Sequence, residues 1–501
     1  MSHHHYKVIL ISTILLVFTA CTVGPDYVRP ATDVPPSYKE SEGWKKAQPR
    51  DGVAKGPWWE IFNDPLLNEL EERVGVSNQN VAVAEAQYHQ ARALVQAVRA
   101  GYFPKITAGA SVTRSRGSSH VGSGSFTSAG TTNDFLLPVD FSWELDIWGK
   151  VRRSVEASQA SAEASAANLE AVRLSMQAEL AVDYFALRSL DAQKELLDAT
   201  AAAYEKSLQL TKNRYNSGIA SRGDVLLAET QVNTTQAQAI DTSVQRAQLE
   251  HAIALLVGTA ASVFSLKIAP LTALPPAIPV GVPSELLERR PDIASSERSV
   301  AAANAQIGVA MAAYYPTVTL SASGGFESSQ FSKWLTWPSR FWSVGPSVLE
   351  TVVEGGLRRA QTEEARAAYD ASVASYRQTV LTAFQEVEDN LAALRILEDE
   401  ARVQDEAVKA ATQALAVTTN QYKAGTVSYI DVIVTQALAL NNERTLITIQ
   451  GRRMVAAALL IKALGGGWNE AEFLTTANVK DEDRSADQAD RTVSEGPHSP
   501  H

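Results

Sequence analysis

The chain has 501 residues, a formal net charge of −11 and a pI near 5.4. This acidic balance argues against a nucleic-acid partner, because the phosphate backbone is also negatively charged. After residue 21 no apolar run is long enough for a transmembrane helix. The mature chain is therefore expected either to stay in water or to enter a membrane as a β-barrel.

The first 20 residues are typical of a secretory signal peptide. Lys7 precedes an apolar run from Val8 to Phe18, which is too short to span a bilayer but suits a signal-peptide core. Small residues then lead to Cys21, the only cysteine, in a pattern that resembles a bacterial lipobox. We expect a lipid on Cys21, which would hold the protein on a membrane; the alternative is an ordinary secretory signal. Thr22 stands where an inner-membrane retention signal usually has Asp, which favours sorting to the outer membrane.

Residues 21–60 are predicted to form an extended arm, because prolines are frequent there and aromatic side chains are scattered along it. Asp64 before Pro65 predicts the start of a helix, with an acid as the N-cap and proline in the first turn. Apolar residues at helical spacing extend this helix to about Arg99.

Two alternating apolar and polar segments follow, separated by a Gly/Ser-rich loop. The first begins after Pro104, and the second runs from Phe135 to Asp146. Such segments fit a transmembrane β-hairpin over about residues 104–147. A soluble hairpin with one wet face is the alternative.

A stretch without proline, rich in helix-forming residues, covers residues 149–214. As a helix it would be roughly 100 Å long and would need partner helices along its whole length. A turn ending at Gly218 and a second helix at about 221–257 are predicted to follow.

The second half of the chain repeats the first at an offset of 206–212 residues, with Trp148 to Arg153 matched to Glu354 to Arg359. Its predicted elements are a helix from residue 285, a hairpin at about 316–352, a long helix at 353–421, a turn at Gly425 and a helix at about 428–464. The predicted divisions are a signal peptide (1–20), the arm (21–60), repeat 1 (61–258), a connector (259–284), repeat 2 (285–465) and a disordered tail (466–501).

The strands of one chain are too few to close a barrel. An open sheet edge in hydrocarbon would leave backbone groups unpaired, at a cost of several kcal/mol each. Several copies must therefore join, and three copies would give about twelve strands and begin to leave a lumen. Alanines on two flanks of the long helix would let it pack against neighbours on both sides, as in a closed cylinder. A solid antiparallel coiled coil is the alternative.

In these features the chain resembles the outer-membrane efflux channels of the TolC/OprM type, in particular their NodT-like lipoprotein branch. The resemblance covers most of the chain from Cys21 to Gly465. It rests on the start Cys21-Thr22-Val23-Gly24-Pro25-Asp26-Tyr27, on Tyr102-Phe103-Pro104 and Tyr315-Pro316 before the strands, and on two Tyr-x-x-Gly turns.

The resemblance implies a mixed α and β membrane protein. Its homotrimer would form a 12-stranded transmembrane β-barrel, with four strands per chain, continuous with a long α-helical periplasmic barrel. It further implies a place in the bacterial outer membrane, a periplasmic adaptor protein as partner, and an inner-membrane pump, most often of the RND class.

The resemblance also assigns a gate at the periplasmic helix tips. A latch would pair Asp224 with Tyr422, and three copies of Asp431 would form an inward carboxylate ring. Tyr215 would also belong to the gate, and Gly218 and Gly425 would lie in the tip turns that contact the adaptor.

Two positions depart from the best-known member of the family, which has an acid where Val434 stands and an arginine where Val427 stands. A single acidic ring, a weaker polar latch and a more apolar seal are therefore expected. From the residues alone, Asp224 and Asp431 are also explained as acids at helix starts, and Tyr215 and Tyr422 as tip packing. Five aromatic residues fit membrane-interface girdles or ordinary sheet packing: Phe141, Trp143, Trp334, Trp337 and Trp342.

The sequence gives no support for catalysis, because its histidines lack ligand spacing and no phosphate or dinucleotide loop is present. We expect no enzyme activity, no metal and no cofactor apart from the lipid. The expected function is a passive, gated exit duct for drugs or other small toxic compounds. The alternatives are a duct of a type I protein secretion system and a lipid-anchored structural or adhesive coiled coil without a pore.

Overall fold

The computed structural model describes residues 23–40, 57–116, 131–278 and 289–466. The predicted signal peptide, the lipidation site Cys21 and the predicted tail from residue 467 lie outside these ranges. The described residues form two compact units, each with segments from both halves of the sequence. The sheet unit comprises the described parts of Met1–Pro30, Tyr88–Ser165 and Ser296–Tyr376. The helical unit comprises those of Ala31–Gln87, Ala166–Ser295 and Arg377–His501.

An antiparallel sheet forms the centre of the sheet unit. Its strands are β1 (Lys105–Ala108), β2 (Ser111–Arg116), β3 (Thr131–Glu144), β4 (Thr317–Ser328) and β5 (Arg340–Leu349). The order is β1–β3–β4–β5, and β2 pairs with β3 beyond the end of β1. Each half of the chain thus contributes one hairpin, and β3 and β4 join the two hairpins into one sheet.

The first alternating segment is interrupted, although it was predicted as a single strand. β1 and β2 keep one register along β3, with Lys105 opposite Ser142 and Ser111 opposite Leu136. The gap falls opposite Pro138, whose carbonyl accepts a hydrogen bond from Gly109 N at 3.0 Å. Proline has no N–H to return a bond, so the ladder lacks one of its two bonds at this point.

The helices of the described ranges are α1 (Pro65–Ser77), α2 (Gln79–Arg99), α3 (Lys150–Asn216), α4 (Arg222–Leu256), α5 (Pro291–Ala312), α6 (Leu357–Ala424) and α7 (Tyr429–Ala463). The two long helices predicted at 149–214 and 353–421 are α3, with 67 residues, and α6, with 68. At about 1.5 Å per residue each is roughly 100 Å long. No helix in the described ranges combines the length and apolar character needed to span a bilayer.

The helix predicted from residue 65 to Arg99 is in fact two helices, and Asn78 separates them. Asp64 caps α1 as expected, accepting hydrogen bonds from Leu66 N and Leu67 N. Asn78 has extended backbone angles, and its side-chain oxygen accepts from Val81 N at 3.2 Å while its amide donates to Leu256 O at 2.8 Å. Asparagine is favoured at such a cap because its side chain satisfies a free N–H of the next helix.

The correspondence between the two halves differs by one residue from the sequence match at Arg153 and Arg359. Lys150 begins α3 and Leu357 begins α6, an offset of 207 instead of 206. The hairpins agree, because Lys105 lies opposite Ser142 and Thr317 lies opposite Leu349. These pairs fix the sum of the two strand offsets at 419, which is the sum of 212 for the first strand and 207 for the second. Arg153 consequently corresponds to Ala360, and Arg359 corresponds to Arg152.

Candidate functional site at the helix tips

Two turns of the same design connect the long helices to the shorter helices that follow them. Gly218 N donates to Tyr215 O at 2.9 Å, and Gly425 N donates to Tyr422 O at 3.0 Å. Both glycines have a positive φ, 73° and 78°, which glycine adopts without the steric cost of a side chain. The two Tyr-x-x-Gly motifs are therefore helix C-terminal turns, at the places where the sequence predicted them.

The two aspartates assigned to the gate cap the helices that leave these turns. Asp224 Oδ2 accepts from Ser221 N at 2.9 Å, and Ser221 Oγ accepts from Asp224 N at 3.1 Å. Asp431 Oδ2 accepts from Ser428 N at 3.0 Å and from Ser428 Oγ at 2.6 Å. Both are capping boxes. Asp431 is also exposed to solvent in the single chain, so its capping role leaves its carboxylate accessible.

Tyr422 lies in a buried cluster and is not bonded to Asp224. It is 5% exposed and packs on Tyr429, with ring centroids 5.2 Å apart. Its hydroxyl has no hydrogen-bond partner among the described residues. The expected Asp224–Tyr422 hydrogen bond is therefore absent within one chain. Tyr215, in contrast, is exposed.

Arg214 and Tyr429 are parts of the tip that the sequence reasoning missed. The Arg214 guanidinium carbon lies 4.7 Å from the centre of the Tyr422 ring, and Arg214 Nη1 donates to Tyr422 O at 3.2 Å. This cation–π contact ties the first turn to the second. Burial raises the pKa of Tyr429, so this phenol stays neutral. The sequence did carry a signal for these two roles, because both positions differ between the repeats. Gln421 stands at the position equivalent to Arg214, and Arg222 stands at the position equivalent to Tyr429.

An exposed apolar stripe accompanies Asp431 on α7. Ile430, Val434 and Leu438 follow each other at four-residue spacing and are 55%, 61% and 50% exposed. Residues four apart lie on one face of a helix, so the stripe is continuous. An exposed apolar stripe of this kind is a candidate for contact with another surface.

The start of the described arm is fixed to the sheet unit through Arg153. This side chain is 4% exposed, and its guanidinium donates to Val23 O at 3.3 Å and to Asp26 Oδ1 at 3.0 Å. A Cβ on Gly24 would lie 2.5 Å from the Cα of Gly308, so only glycine permits this approach. Val23 N donates to Trp148 O at 3.3 Å. The arm therefore begins beside the junction of β3 and α3, two residues after Cys21.

The five aromatic residues proposed for girdles fall into different environments. Trp342 and Trp337 are exposed, whereas Trp143 and Phe141 are half-buried. Trp334 packs 5.7 Å from the ring of Phe135. In the part of the chain that the structure describes, no group of three or more His, Cys, Asp or Glu side chains could hold a metal ion.

Comparison with known proteins assigns the class. The family model described as outer membrane efflux protein matches residues 72–259 and 282–466, one match in each half of the chain. The chain belongs to this family, and it is an outer-membrane efflux channel protein with a mixed, mainly helical fold.

Individual relatives and structures resemble the chain over most of its length. The toluene efflux pump outer membrane protein TtgI of Pseudomonas putida is 30% identical over 474 residues, 91% of this chain and 98% of the relative. The outer membrane protein OprJ of Pseudomonas aeruginosa is 29% identical over 468 residues, 93% of this chain and 97% of the relative. The solved structure of the outer-membrane channel OprN aligns with a TM-score of 0.83 and 30% identity, covering 89% of this chain and 100% of that one.

Proposed function

We propose that three copies of this chain form a passive, gated exit duct for drugs or other small toxic compounds. An inner-membrane pump would supply the energy through a periplasmic adaptor. Relatives named for toluene efflux pumps support this class of cargo. The observation that carries the proposal is the sheet, because among the described residues its edge strands β1, β2 and β5 each lack a partner on one side.

The free edges favour assembly into a ring. Among the described residues, β5 pairs only with β4, and β1 and β2 pair only with β3. Unpaired backbone groups in hydrocarbon cost several kcal/mol each, so a sheet in a membrane must close on itself. Three copies bring about twelve strands, which is enough to leave a lumen.

The helix tips are proposed as the gate. Three copies of Asp431 would meet as an acidic ring, and the stripe Ile430, Val434 and Leu438 would supply an apolar seal beside it. Asp224, Tyr215 and Tyr422 are the other proposed gate residues. The turns at Gly218 and Gly425 would present the surface for the adaptor.

The lipid anchor on Cys21 is also part of the proposal. The fixed start of the arm supports it, because Val23 is held beside Trp148, at the level where helices give way to strands. Metabolic labelling with palmitate is expected to mark the wild type and not Cys21→Ser. Equal labelling of both proteins would remove the anchor from the account.

Currents through purified protein in planar bilayers test the duct. The wild type is expected to conduct, and Asp431→Asn to weaken both cation selectivity and block by multivalent cations, because the ring loses its charge. Ser428 Oγ and N can still bond an Asn side chain at this cap, so the helix start is retained. Asp431→Glu, which keeps the charge and a capping acid at this position, is the control.

Each outcome of the recording has a separate meaning. Absence of any conductance would contradict the duct and favour a structural coiled coil. Conductance with identical selectivity in the wild type and Asp431→Asn at all pH values would keep the duct but remove Asp431 from the gate.

A further inference from the structure

We propose that the helical unit of each chain binds a neutral, largely apolar small molecule in a groove between α3, α4, α6 and α7. The groove has a volume of about 640 Å³ and is lined by residues from positions 186–193, 245–249, 390–397 and 448–459. We call it the wall groove. The inference rests on the proposed exit duct and deepens it, because it names a site at which cargo of the proposed class binds on its way through.

The four helices lie side by side as a wall, in the order α4, α3, α7, α6. Arg246 Nε of α4 donates to Asp191 Oδ1 of α3 at 2.7 Å. Next along the wall, α3 touches α7, where a Cβ on Gly451 would lie 2.6 Å from Ser189 Oγ. α7 and α6 share a buried apolar cluster that includes Leu397. Because residues of all four helices line one groove, with the outer two helices as its sides, the wall is concave on this face.

The opposite face of the wall carries the connector between the two repeats. Arg188 Nη1 of α3 donates to Lys267 O at 2.8 Å, and Asp191 Oδ2 accepts from Ala269 N at 3.0 Å. Successive residues of a helix are about 100° apart. Ala186, which lines the groove, therefore lies nearly half a turn around α3 from both Arg188 and Asp191. The connector leaves the groove uncovered.

The arm is also held on the face that points away from the groove. Glu388 of α6 accepts hydrogen bonds from Lys39 N at 2.6 Å and from Glu40 N at 3.0 Å. Ala393 and Leu397, which line the groove, lie nearly half a turn around α6 from Glu388. In a closed ring of three copies the concave face of the wall faces the axis. The wall groove therefore opens into the lumen, clear of both the arm and the connector.

The groove has the size and the apolar lining of a small-molecule site. Small residues from three of the helices leave space in it: Ala186, Ser189, Ala393, Gly451 and Ala456. Leucine or valine side chains from all four helices supply apolar surface around this space. Sites for small molecules usually have volumes of roughly 300–1,000 Å³ and mainly apolar walls. The volume of the wall groove falls within this range.

The polar groups of the lining favour a neutral ligand. Among the described residues that line the groove, only Arg452 is charged, and its Nη1 lies 3.9 Å from Glu400 Oε2. A charged ligand would lose its hydration here without gaining a dedicated partner, which is costly. Gln245, Gln248 and Thr448 also line the groove and are exposed. Their amide and hydroxyl groups can bond a carbonyl or hydroxyl group on an otherwise apolar molecule.

Photolabelling with benzophenone tests the site. This probe is neutral, has two aromatic rings and a carbonyl group, and on illumination inserts into nearby C–H bonds. The purified trimer in detergent is illuminated at increasing probe concentrations, and the labelled positions are mapped by peptide mass spectrometry. Labels are expected within residues 186–193, 390–397 and 448–459, and their amount should saturate as the probe concentration rises, because each chain has one groove to fill.

Tryptophan substitutions show whether the label reports the groove. Ala393→Trp should abolish labelling of the groove, because the indole would occupy its space. Gln248→Trp is a second variant at an exposed lining position, where a larger side chain narrows the opening without entering the core. Ala410→Trp is the matched control, because Ala410 is also exposed on α6 and lies about 25 Å along the helix from Ala393. It should keep the labelling of the wild type.

The outcomes separate the groove from the duct. Saturable labelling that is lost in each groove variant that keeps the mass of a trimer, and is kept in Ala410→Trp, supports the site. Labels confined to other parts of the chain, labels that do not saturate, or labels that persist in an assembled groove variant overturn it. A wild type that conducts in planar bilayers but takes no label in the groove keeps the duct and loses the site. Absence of conductance contradicts the duct itself.

Discussion

At the scale of single residues, the two aspartates at the helix tips are helix-capping acids that lie where the proposed gate needs a charge. The sequence leaves two explanations for Asp224 and Asp431, as gate acids and as helix caps, and the structure makes both of them caps. Each aspartate occupies the N3 position of a helix that follows a tip turn, so it lies near the tip of the helix pair. A capping residue is therefore already placed where a constriction ring would need a charge.

A buried acid in the helical unit predicts a pH-dependent stability. Glu71 of α1 is fully buried, and neither carboxylate oxygen has a hydrogen-bond partner among the described residues. Burial raises its pKa well above the ordinary value. The folded state therefore holds the proton more tightly than the unfolded chain does. Protonated Glu71 makes its full contribution to the free energy of unfolding below the pKa that the residue has in the unfolded chain, near 4.3. The stability then falls as the pH rises from that value through the pKa of Glu71 in the folded protein.

Glu71→Gln should therefore flatten this dependence. The wild type is expected to lose thermal stability relative to the variant between pH 4 and pH 8, at about 1.4 kcal/mol for each unit by which the pKa is raised. Glu72→Gln, at the next and exposed position, should follow the wild type. Unfolding temperatures of the detergent-solubilised proteins at several pH values measure this. Parallel curves for Glu71→Gln and the wild type would contradict the prediction.

The arm depends on one arginine. Arg153→Ala removes the side-chain bonds to Val23 O and Asp26 Oδ1. A typical hydrogen bond contributes about 0.5–1.5 kcal/mol, and the bond to the exposed Asp26 contributes less than a buried charge pair because solvent screens it. We expect faster hydrogen exchange at residues 23–27 and unchanged exchange in β3. Arg152→Ala is the control, because Arg152 is the exposed neighbour. Equal exchange of the arm in both variants would show that Arg153 does not hold it.

Elements differ in how far the sequence alone could predict them. The long helices and tip turns were predictable because helix-forming residues run uninterrupted to a glycine with positive φ. Asp64 could be predicted as a cap because it precedes proline. These are local signals, since the residues that decide each feature are neighbours in the chain.

Features that depend on distant partners were not predicted. The break at Asn78 needs Leu256 O as the acceptor for its amide, and the gap between β1 and β2 arises opposite Pro138. The Arg214–Tyr422 contact joins the two tip turns across 208 positions of sequence. The predicted match between the repeats was off by one residue at Arg153, because Gly149 can be matched either to Gly355 or to Gly356. The first backbone hydrogen bonds of the two long helices run to Gly149 O and Gly356 O, which gives an offset of 207 residues between the repeats.

At the scale of the whole molecule, the two repeats explain why one chain is incomplete. Within the chain, the β3–β4 seam satisfies the inner edges of both hairpins. The outer edges are left with half of their backbone groups unpaired among the described residues. An edge of this kind is a template for another strand. Since every copy offers both halves of the same seam, assembly into a closed ring pairs all the edges at once.

The mass of the folded protein, purified in detergent and measured by native mass spectrometry, tests this claim most directly. The account predicts the mass of a complex of three chains. The mass of each chain is the 54.0 kDa of the full sequence, reduced by the mass of the signal peptide and increased by the mass of any attached lipid. Folded protein that has the mass of a single chain, and stays so at all concentrations tested, would contradict it.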